Sequence, residues 1–251
     1  MRAFTRAVSS RIAQCQLTHL SRVPIDAARA ATQHAAYEKA LRDAGLEVIR
    51  LPDLDDDPDA VFVEDTAILL GGHAILTRPG APSRIGEVES TAAGLKDHFE
   101  MHRITSGHVD GGDVLRIGKR LYVGLSTRTD QAGIEALDAI AGRLGYAVIA
   151  AATGACLHLK TGATLAAENV LLYDPRAIDA AQFEDVEALA VEEPAAANCV
   201  RAGKSVIIPA GNPRSADNLR KRGLEIVEVD VSELQKAEAG VTCMSLIAER
   251  S

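Results

Sequence analysis

The chain has 251 residues, 27 Lys+Arg against 35 Asp+Glu for a formal net charge of −8, 47% apolar and 25% charged side chains, and 3% aromatics with no Trp. Such proportions belong to a globular protein long enough to bury a sizeable core; the acidic balance excludes a general nucleic-acid binder, which needs a basic face, and suits a cationic small molecule. No apolar run approaches the roughly 20 residues that span a bilayer, and no secretory segment is evident, so the expectation is no membrane partner and a reducing cytoplasm.

The first strand is expected over 3–8, and the Arg-bearing, acid-free start up to Asp26 is read as this strand rather than as a transit peptide. A helix starts near Pro24, with Asp26 in its first turn, Ala28, Ala31, Ala35 and Leu41 recurring along it, and Gly45 as its stop. A strand over 46–51 follows. Then one pattern repeats: 62–77 reads strand, Gly71-Gly72 turn, strand. The same reading holds for 114–126 about Gly118-Lys119, for 164–173 about Glu168-Asn169, and for 198–209 about Gly203-Lys204. Amphipathic helices are expected over 83–99, 129–144 and 215–222, and lone strands over 146–151 and 224–229.

The unit is therefore strand, strand, helix, strand, with a period of about 45 residues. Landmark residues at the hairpin entries, Asp65, Asp110, His158, Cys199 and Cys243, are spaced by 45, 48, 41 and 44. Four units are visible. A fifth is completed if a C-terminal strand over 244–248 pairs with the N-terminal strand. The expectation is a ring of five units in the α/β class, one domain over 1–251 without a linker.

Equivalent positions in such a ring surround one axis. Asp59, Glu64 and Asp65 precede the first hairpin, Asp110 and Asp113 enter the second, His158 the third, and Cys243 the closing strand. These groups should converge on a central pocket. A Cys with a His is the pair for nucleophilic catalysis: the thiolate attacks, the imidazole moves protons, and a carboxylate behind the His fixes its tautomer. Carboxylates facing the same pocket imply a cationic substrate. Taken singly, the residues have plainer readings. Cys243 is a packed core thiol, His158 between Leu157 and Leu159 a satisfied core histidine, and Asp110-Gly111-Gly112-Asp113 a turn. Glu64-Asp65, set in an apolar run, is costly unless paired or functional. The four cysteines, Cys15, Cys156, Cys199 and Cys243, form no C-x-x-C pair, so disulfides are not expected. Cys156 and His158 are half a metal site without a second pair.

Six segments occur in order: Val61-Phe62-Val63-Glu64-Asp65, Thr77-Arg78-Pro79-Gly80-Ala81-Pro82-Ser83-Arg84, Asp110-Gly111-Gly112-Asp113-Val114-Leu115, Val123-Gly124-Leu125-Ser126-Thr127-Arg128-Thr129, Leu157-His158-Leu159-Lys160 and Thr242-Cys243-Met244-Ser245. With them the chain resembles the dimethylarginine dimethylaminohydrolase family of the guanidino-group-modifying, or amidinotransferase, superfamily, from about Ala3 to Ile247. The resemblance implies a five-bladed α/β propeller of ββαβ units with pseudo-fivefold symmetry. It implies hydrolysis of asymmetric dimethylarginine and monomethylarginine to citrulline plus dimethylamine or methylamine, through a covalent thiouronium on Cys243. His158 would be the general acid and base and Asp110 its orienting carboxylate. Asp59 and Asp65 would hold the guanidinium, with Glu64 supporting the same loop, and Arg84 and Arg128 would clamp the substrate carboxylate. Backbone carbonyls near Leu17 and Ala237 would receive the α-amino group.

The arginine deiminases of the superfamily follow the His with Leu-Asp, whereas this chain has Lys160 there. That departure favours methylated over unsubstituted arginine. A deiminase-like hydrolase and a non-catalytic arginine-binding protein are the alternatives, and the joint presence of Cys243, His158 and Asp110 speaks against the second. No cofactor is expected; Zn2+ could be caught at Cys243 and His158 as an inhibitor. The expected partner is a small molecule, with a homodimer open.

Overall fold

The computed structural model describes residues 1–248. In chain order β1 (Arg2–Thr5), α1 (Ala27–Asp43) and β2 (Glu47–Arg50) lead into β3 (Ala67–Leu70), β4 (His73–Leu76), α2 (Glu87–Leu95) and β5 (Glu100–Arg103). Next come β6 (Val114–Ile117), β7 (Arg120–Leu125), α3 (Gln131–Ala141) and β8 (Ala147–Ala152), then α4 (Leu159–Gly162), β9 (Ala163–Ala167), β10 (Val170–Tyr173) and β11 (Glu187–Ala190). The chain ends with β12 (Val200–Ala202), β13 (Ser205–Pro209), α5 (Pro213–Lys221), β14 (Glu225–Val229), α6 (Ser232–Gln235) and β15 (Leu246–Ala248).

The strands make five three-stranded sheets: β15-β1-β2, β3-β4-β5, β6-β7-β8, β9-β10-β11 and β12-β13-β14. In each blade the central strand runs antiparallel to the inner strand and parallel to the outer one. A parallel pair needs a crossover, and α1, α2, α3 and α5 supply it. Their starts are set locally. Asp26 accepts the Arg29 N–H at 3.0 Å at the head of α1, and Asp130 accepts that of Gly133 at 2.7 Å at the head of α3. The ring closes as expected, with Arg2 opposite Ala248, Ala3 opposite Ile247 and Phe4 opposite Leu246. Apolar clusters fill the spaces between neighbouring blades; Leu41, Val61, Ile207 and Met244, from distant parts of the chain, share one of them.

Three readings are corrected. The first hairpin entry, expected as strand from Phe62, is a single turn of 3-10 helix at Val63–Thr66, and Met244, expected to open the last strand, ends another at Thr242–Met244; like turns at Gly111–Asp113 and Pro194–Ala197 precede their strands, with α4 in the equivalent place of the fourth blade. The fourth blade lacks a crossover helix and has only the 3-10 turn Ala180–Gln182 between β10 and β11. The helix expected over 83–99 is shorter, because Pro82–Arg84 forms its own 3-10 turn before α2 begins at Glu87.

All five inner strands line a cavity of about 430 Å3, bordered among others by Ile68, Leu115, Leu165, Val200 and Ile247. Glu64, Gly111 and Thr242 of the entry turns line it as well.

Candidate active site

The chemistry-bearing residues sit on the entry turns because a turn frees side chains that a strand would commit to the sheet. Glu64 and Asp65 lie within the first turn, Asp110 and His158 cap the second and third, and Cys243 lies within the last. Their convergence gives a cavity of about 30 Å3 lined by Gln16, Asp59, Phe62, Asp65, Arg84, Asp110, Arg128, Leu157, His158, Ala237, Glu238, Ala239 and Cys243. Eight of the ten expected site residues are among these, Leu17 and Glu64 being the exceptions.

His158 Nε2 is 3.0 Å from Asp110 Oδ2, and its Nδ1 is 3.8 Å from Asp65 Oδ1. The other Asp110 oxygen accepts the Gly80 N–H at 2.8 Å, which holds the carboxylate toward the ring. Asp113, the second acid of the motif, accepts from the Ser126 and Thr129 hydroxyls and from the Leu159 N–H, and so seats the start of α4. The glycines between the acids are dictated by space. A Cβ on Gly112 would lie 2.6 Å from His158 Nδ1, and one on Gly111 would lie 2.0 Å from the Glu64 carbonyl oxygen.

Burial alone would lower the His158 pKa, but Asp65, Asp110 and Asp113 outweigh it and hold the imidazolium up to about 9. Burial, reinforced by the charges of Glu64 and Asp65, pushes the Cys243 thiol up to about 12. The thiol accepts the Gly240 N–H at 3.4 Å. Burial raises Asp59 as well, while Asp65 stays below the ordinary aspartate range because His158 and Arg84 outweigh its desolvation. The resting pair at neutral pH is therefore an imidazolium beside a neutral thiol, within a ring of carboxylates.

The two arginines differ. Arg84 is buried, its guanidinium spread over Asp65 (2.5 Å), Glu87 (2.8 and 3.0 Å) and the Phe62 carbonyl (2.7 Å). Arg128 is half-buried and donates to the Thr18 hydroxyl at 3.0 Å. Glu64 does not face the cavity. Lys160 Nζ at 2.6 Å and the Thr242 hydroxyl at 2.7 Å take its two oxygens. Its place is thus behind the cysteine turn, Thr242–Met244, and not in the cavity. Lys160 follows it, and both border the cavity among the inner strands. Leu17 packs against the core, and the cavity is lined by its neighbour Gln16, whose N–H reaches Asp59 at 3.1 and 3.2 Å. Among the described residues, donor atoms of Asp65, Asp110 and His158 lie within 4.8 Å of one another; Cys243, expected to share a captured Zn2+ with His158, is outside that group.

Asn198 was legible only as the start of a strand. Its amide donates to the Lys160 carbonyl at 2.8 Å and the Thr242 hydroxyl at 3.0 Å, and its oxygen accepts the Thr242 N–H at 3.0 Å. It ties the histidine turn to the cysteine turn. The remaining anchor is Tyr37, whose hydroxyl lies 2.7 Å from that of Ser245. The repeat spacing was the available signal, since Asn198 stands beside the Cys199 landmark.

A five-bladed α/β propeller with Cys, His and Asp meeting at one end of its axis defines the class: hydrolases of the amidinotransferase-like fold. The comparisons narrow this. The family model for N,N dimethylarginine dimethylhydrolase, eukaryotic, matches residues 7–193. The N(G),N(G)-dimethylarginine dimethylaminohydrolase of Pseudomonas aeruginosa is 37% identical over 226 residues, covering 88% of this chain and 89% of its own. The enzyme of the same name from Streptomyces coelicolor is 37% identical over 254 residues, with 98% and 96% covered. A solved Pseudomonas aeruginosa structure, a cysteine-to-serine variant complexed with citrulline, superposes with a TM-score of 0.92 at 34% identity over 98% of both chains. The N-terminal domain of the arginine dihydrolase ArgZ shares the fold alone, with a TM-score of 0.88 at 20% identity. The chain belongs to the dimethylarginine dimethylaminohydrolase family.

Proposed function

We propose that this chain, acting as one catalytic domain, hydrolyses asymmetric dimethylarginine and monomethylarginine to citrulline and the corresponding methylamine. The observation that carries the reading is the contact of His158 with Asp110 at 3.0 Å, in a cavity that Cys243, Asp59 and Asp65 also line. In the reading, Asp59 and Asp65 receive the guanidinium and Arg128 the carboxylate, an end that planar guanidinium forks suit. Arg84 contributes through Asp65, and Ala237 offers a backbone carbonyl to the α-amino group.

The cationic substrate offsets the carboxylates that hold the Cys243 proton on, so binding and ionisation are coupled and the thiol proton leaves to solvent. The thiolate sulfur forms a bond to the guanidinium carbon. The bond from that carbon to the methylated nitrogen breaks, and His158 delivers its proton to the leaving amine. The neutral imidazole then takes a proton from water as the oxygen bonds to carbon. The carbon–sulfur bond breaks last, and the proton left on that oxygen passes to the departing sulfur, which restores the thiol and releases citrulline. No cofactor enters these steps, and the reading places the enzyme in the cytoplasm.

The test is citrulline formation from arginine, monomethylarginine and both dimethylarginines. The expected order puts the asymmetric methylated substrates first by kcat/KM. A ratio favouring arginine overturns the substrate assignment. Cys243→Ser should bind substrate and lose turnover by an activation energy on the order of 4 kcal/mol or more, since a hydroxyl ionises far less readily than a thiol. Near-normal turnover in that variant removes Cys243 from the nucleophile's role.

A further inference from the structure

The second blade carries a cluster of donor side chains, none of which lines the catalytic cavity. His73 opens β4, and Glu100 and His102 lie on β5, its parallel outer neighbour. The register sets His73 beside Glu100 and Ile75 beside His102. Partners in parallel register project from the same face, as do residues two apart on one strand. All three side chains therefore leave one face of the blade. His73 Nδ1 is 3.1 Å from His102 Nε2, and the Glu100 carboxylate oxygens are 3.6 Å from the first and 3.8 Å from the second. The imidazoles are partly buried and the carboxylate is exposed.

We propose that His73, Glu100 and His102 form a zinc-binding site, separate from the catalytic centre, with its fourth position open to water. A tetrahedral ion with bonds of about 2.0–2.1 Å sets its donors about 3.3–3.4 Å apart. The three separations here, 3.1, 3.6 and 3.8 Å, bracket that edge. A hydrogen bond between the two imidazoles accounts for one of them only. It leaves the carboxylate beyond hydrogen-bond reach of both rings, whereas a shared cation satisfies all three groups at once.

The donor chemistry selects the ion. Two neutral imidazoles and one carboxylate suit zinc and its first-row neighbours, while calcium and magnesium take oxygen ligands. The cost of assembly is low, because two paired strands already hold the donors and little order remains to be gained. The ion would pin the outer strand β5 to β4 at the end where the Glu100 N–H meets the Gly72 carbonyl at 2.9 Å. Binding to the native blade alone raises stability by mass action and leaves the chemistry at Cys243 untouched.

The experiment uses tag-free, chelator-stripped Cys243→Ser protein, which removes the reactive thiol as a competing ligand. Cobalt(II) is the optical probe. One equivalent is expected to bind with the visible bands of tetrahedral nitrogen and oxygen ligation and without a thiolate charge-transfer band, and zinc is expected to raise the melting temperature. In the double variant His73→Gln/His102→Gln both responses should disappear, while its chelator-treated melting temperature matches the parent. Glu100→Gln should weaken cobalt binding at least tenfold. With Cys243 restored, the double variant should keep its kcat/KM for methylated arginine. The proposal falls if the parent takes up no cobalt at a several-fold excess, if a thiolate band dominates, or if uptake survives in the double variant.

Discussion

Arg84 and Arg128 look equivalent in the sequence, each an arginine on a loop expected at the substrate carboxylate. Their surroundings separate them. Arg84 neutralises two buried carboxylates, and Glu87 and Asp65 carry its charge well above the ordinary arginine value despite burial. Its removal strands those charges, and breaking a buried pair in this way costs about 3–5 kcal/mol. Arg84→Ala should therefore lower the melting temperature by several degrees and lower kcat as Asp65 moves. Arg128→Ala should leave the melting temperature near that of the parent and raise KM, because in its proposed role a half-buried clamp on an unreacting carboxylate contributes uniform binding. Thermal melts paired with steady-state kinetics decide it. Equal melting temperatures for the two variants contradict the division.

Among the elements, the segment 18–20 is tied to Glu238, which lines the candidate cavity. That cavity holds about 30 Å3, room for roughly two water molecules and not for an arginine. A single carboxylate pins the segment: Glu238 accepts from the N–H groups of Thr18, His19 and Leu20 at 2.5–3.0 Å. Glu238 does so from a left-handed backbone, φ 61°, which costs a non-glycine residue energy. Glu238→Gly keeps that backbone available and removes the pin. It should expose the Arg22 peptide bond to trypsin faster than in the parent and raise KM for methylated arginine. Unchanged cleavage and unchanged KM would show that the pin does not hold the segment.

The same scale shows what the sequence revealed. The hairpins about Gly71-Gly72, Gly118-Lys119 and Gly203-Lys204 were legible because glycine marks each tight turn, Gly71, Gly118 and Gly203 having φ of 59°, 58° and 63°. β5 and β11 were not, since an outer strand buries little: Glu100-Met101-His102-Arg103 and Glu187-Ala188-Leu189-Ala190 carry no alternation. At the site, the axis argument found Cys243, His158 and Asp110, whose residue types announce chemistry. It also placed Glu64 at the pocket, while the comparison with the arginine deiminases gave Lys160 a part in specificity; the two charges pair with each other. Two opposite charges near one motif can satisfy each other, and only the three-dimensional path of the loops reveals that they do. Asn198 was invisible as a site residue because a buried amide has no chemical signature of its own.

For the whole molecule, two histidines shape the pH dependence of stability in opposite senses. His34 lies on the buried face of α1 with its Nε2 lacking a partner among the described residues, and burial lowers its pKa from 6.5 to about 4 despite Glu38. The unfolded chain takes that proton first, so stability is lost as pH falls from about 6.5 toward 4, by about 2 kcal/mol between pH 7 and 5. His158, raised to about 9, contributes stability that is complete below pH 6.5 and lost as pH rises through 9. Urea unfolding across this range should show a maximum near neutrality, and His34→Gln should flatten its acid side. An equally steep acid limb in that variant would assign the loss to other groups.

The seam at β1 and β15 also bears on how the molecule comes into being. Every other blade is assembled from neighbouring sequence, but this one joins Arg2 to Ala248. Closing so long a loop is entropically costly and topologically slow. Cys243 lies three residues before β15, on the late-arriving side. After dilution from denaturant, helix signal should recover first and citrulline-forming activity only with the slowest phase. A chain with four finished blades would already be compact and yet chemically inert, and activity would time the joining of its ends. Activity returning in step with the helix signal would show that the seam forms early.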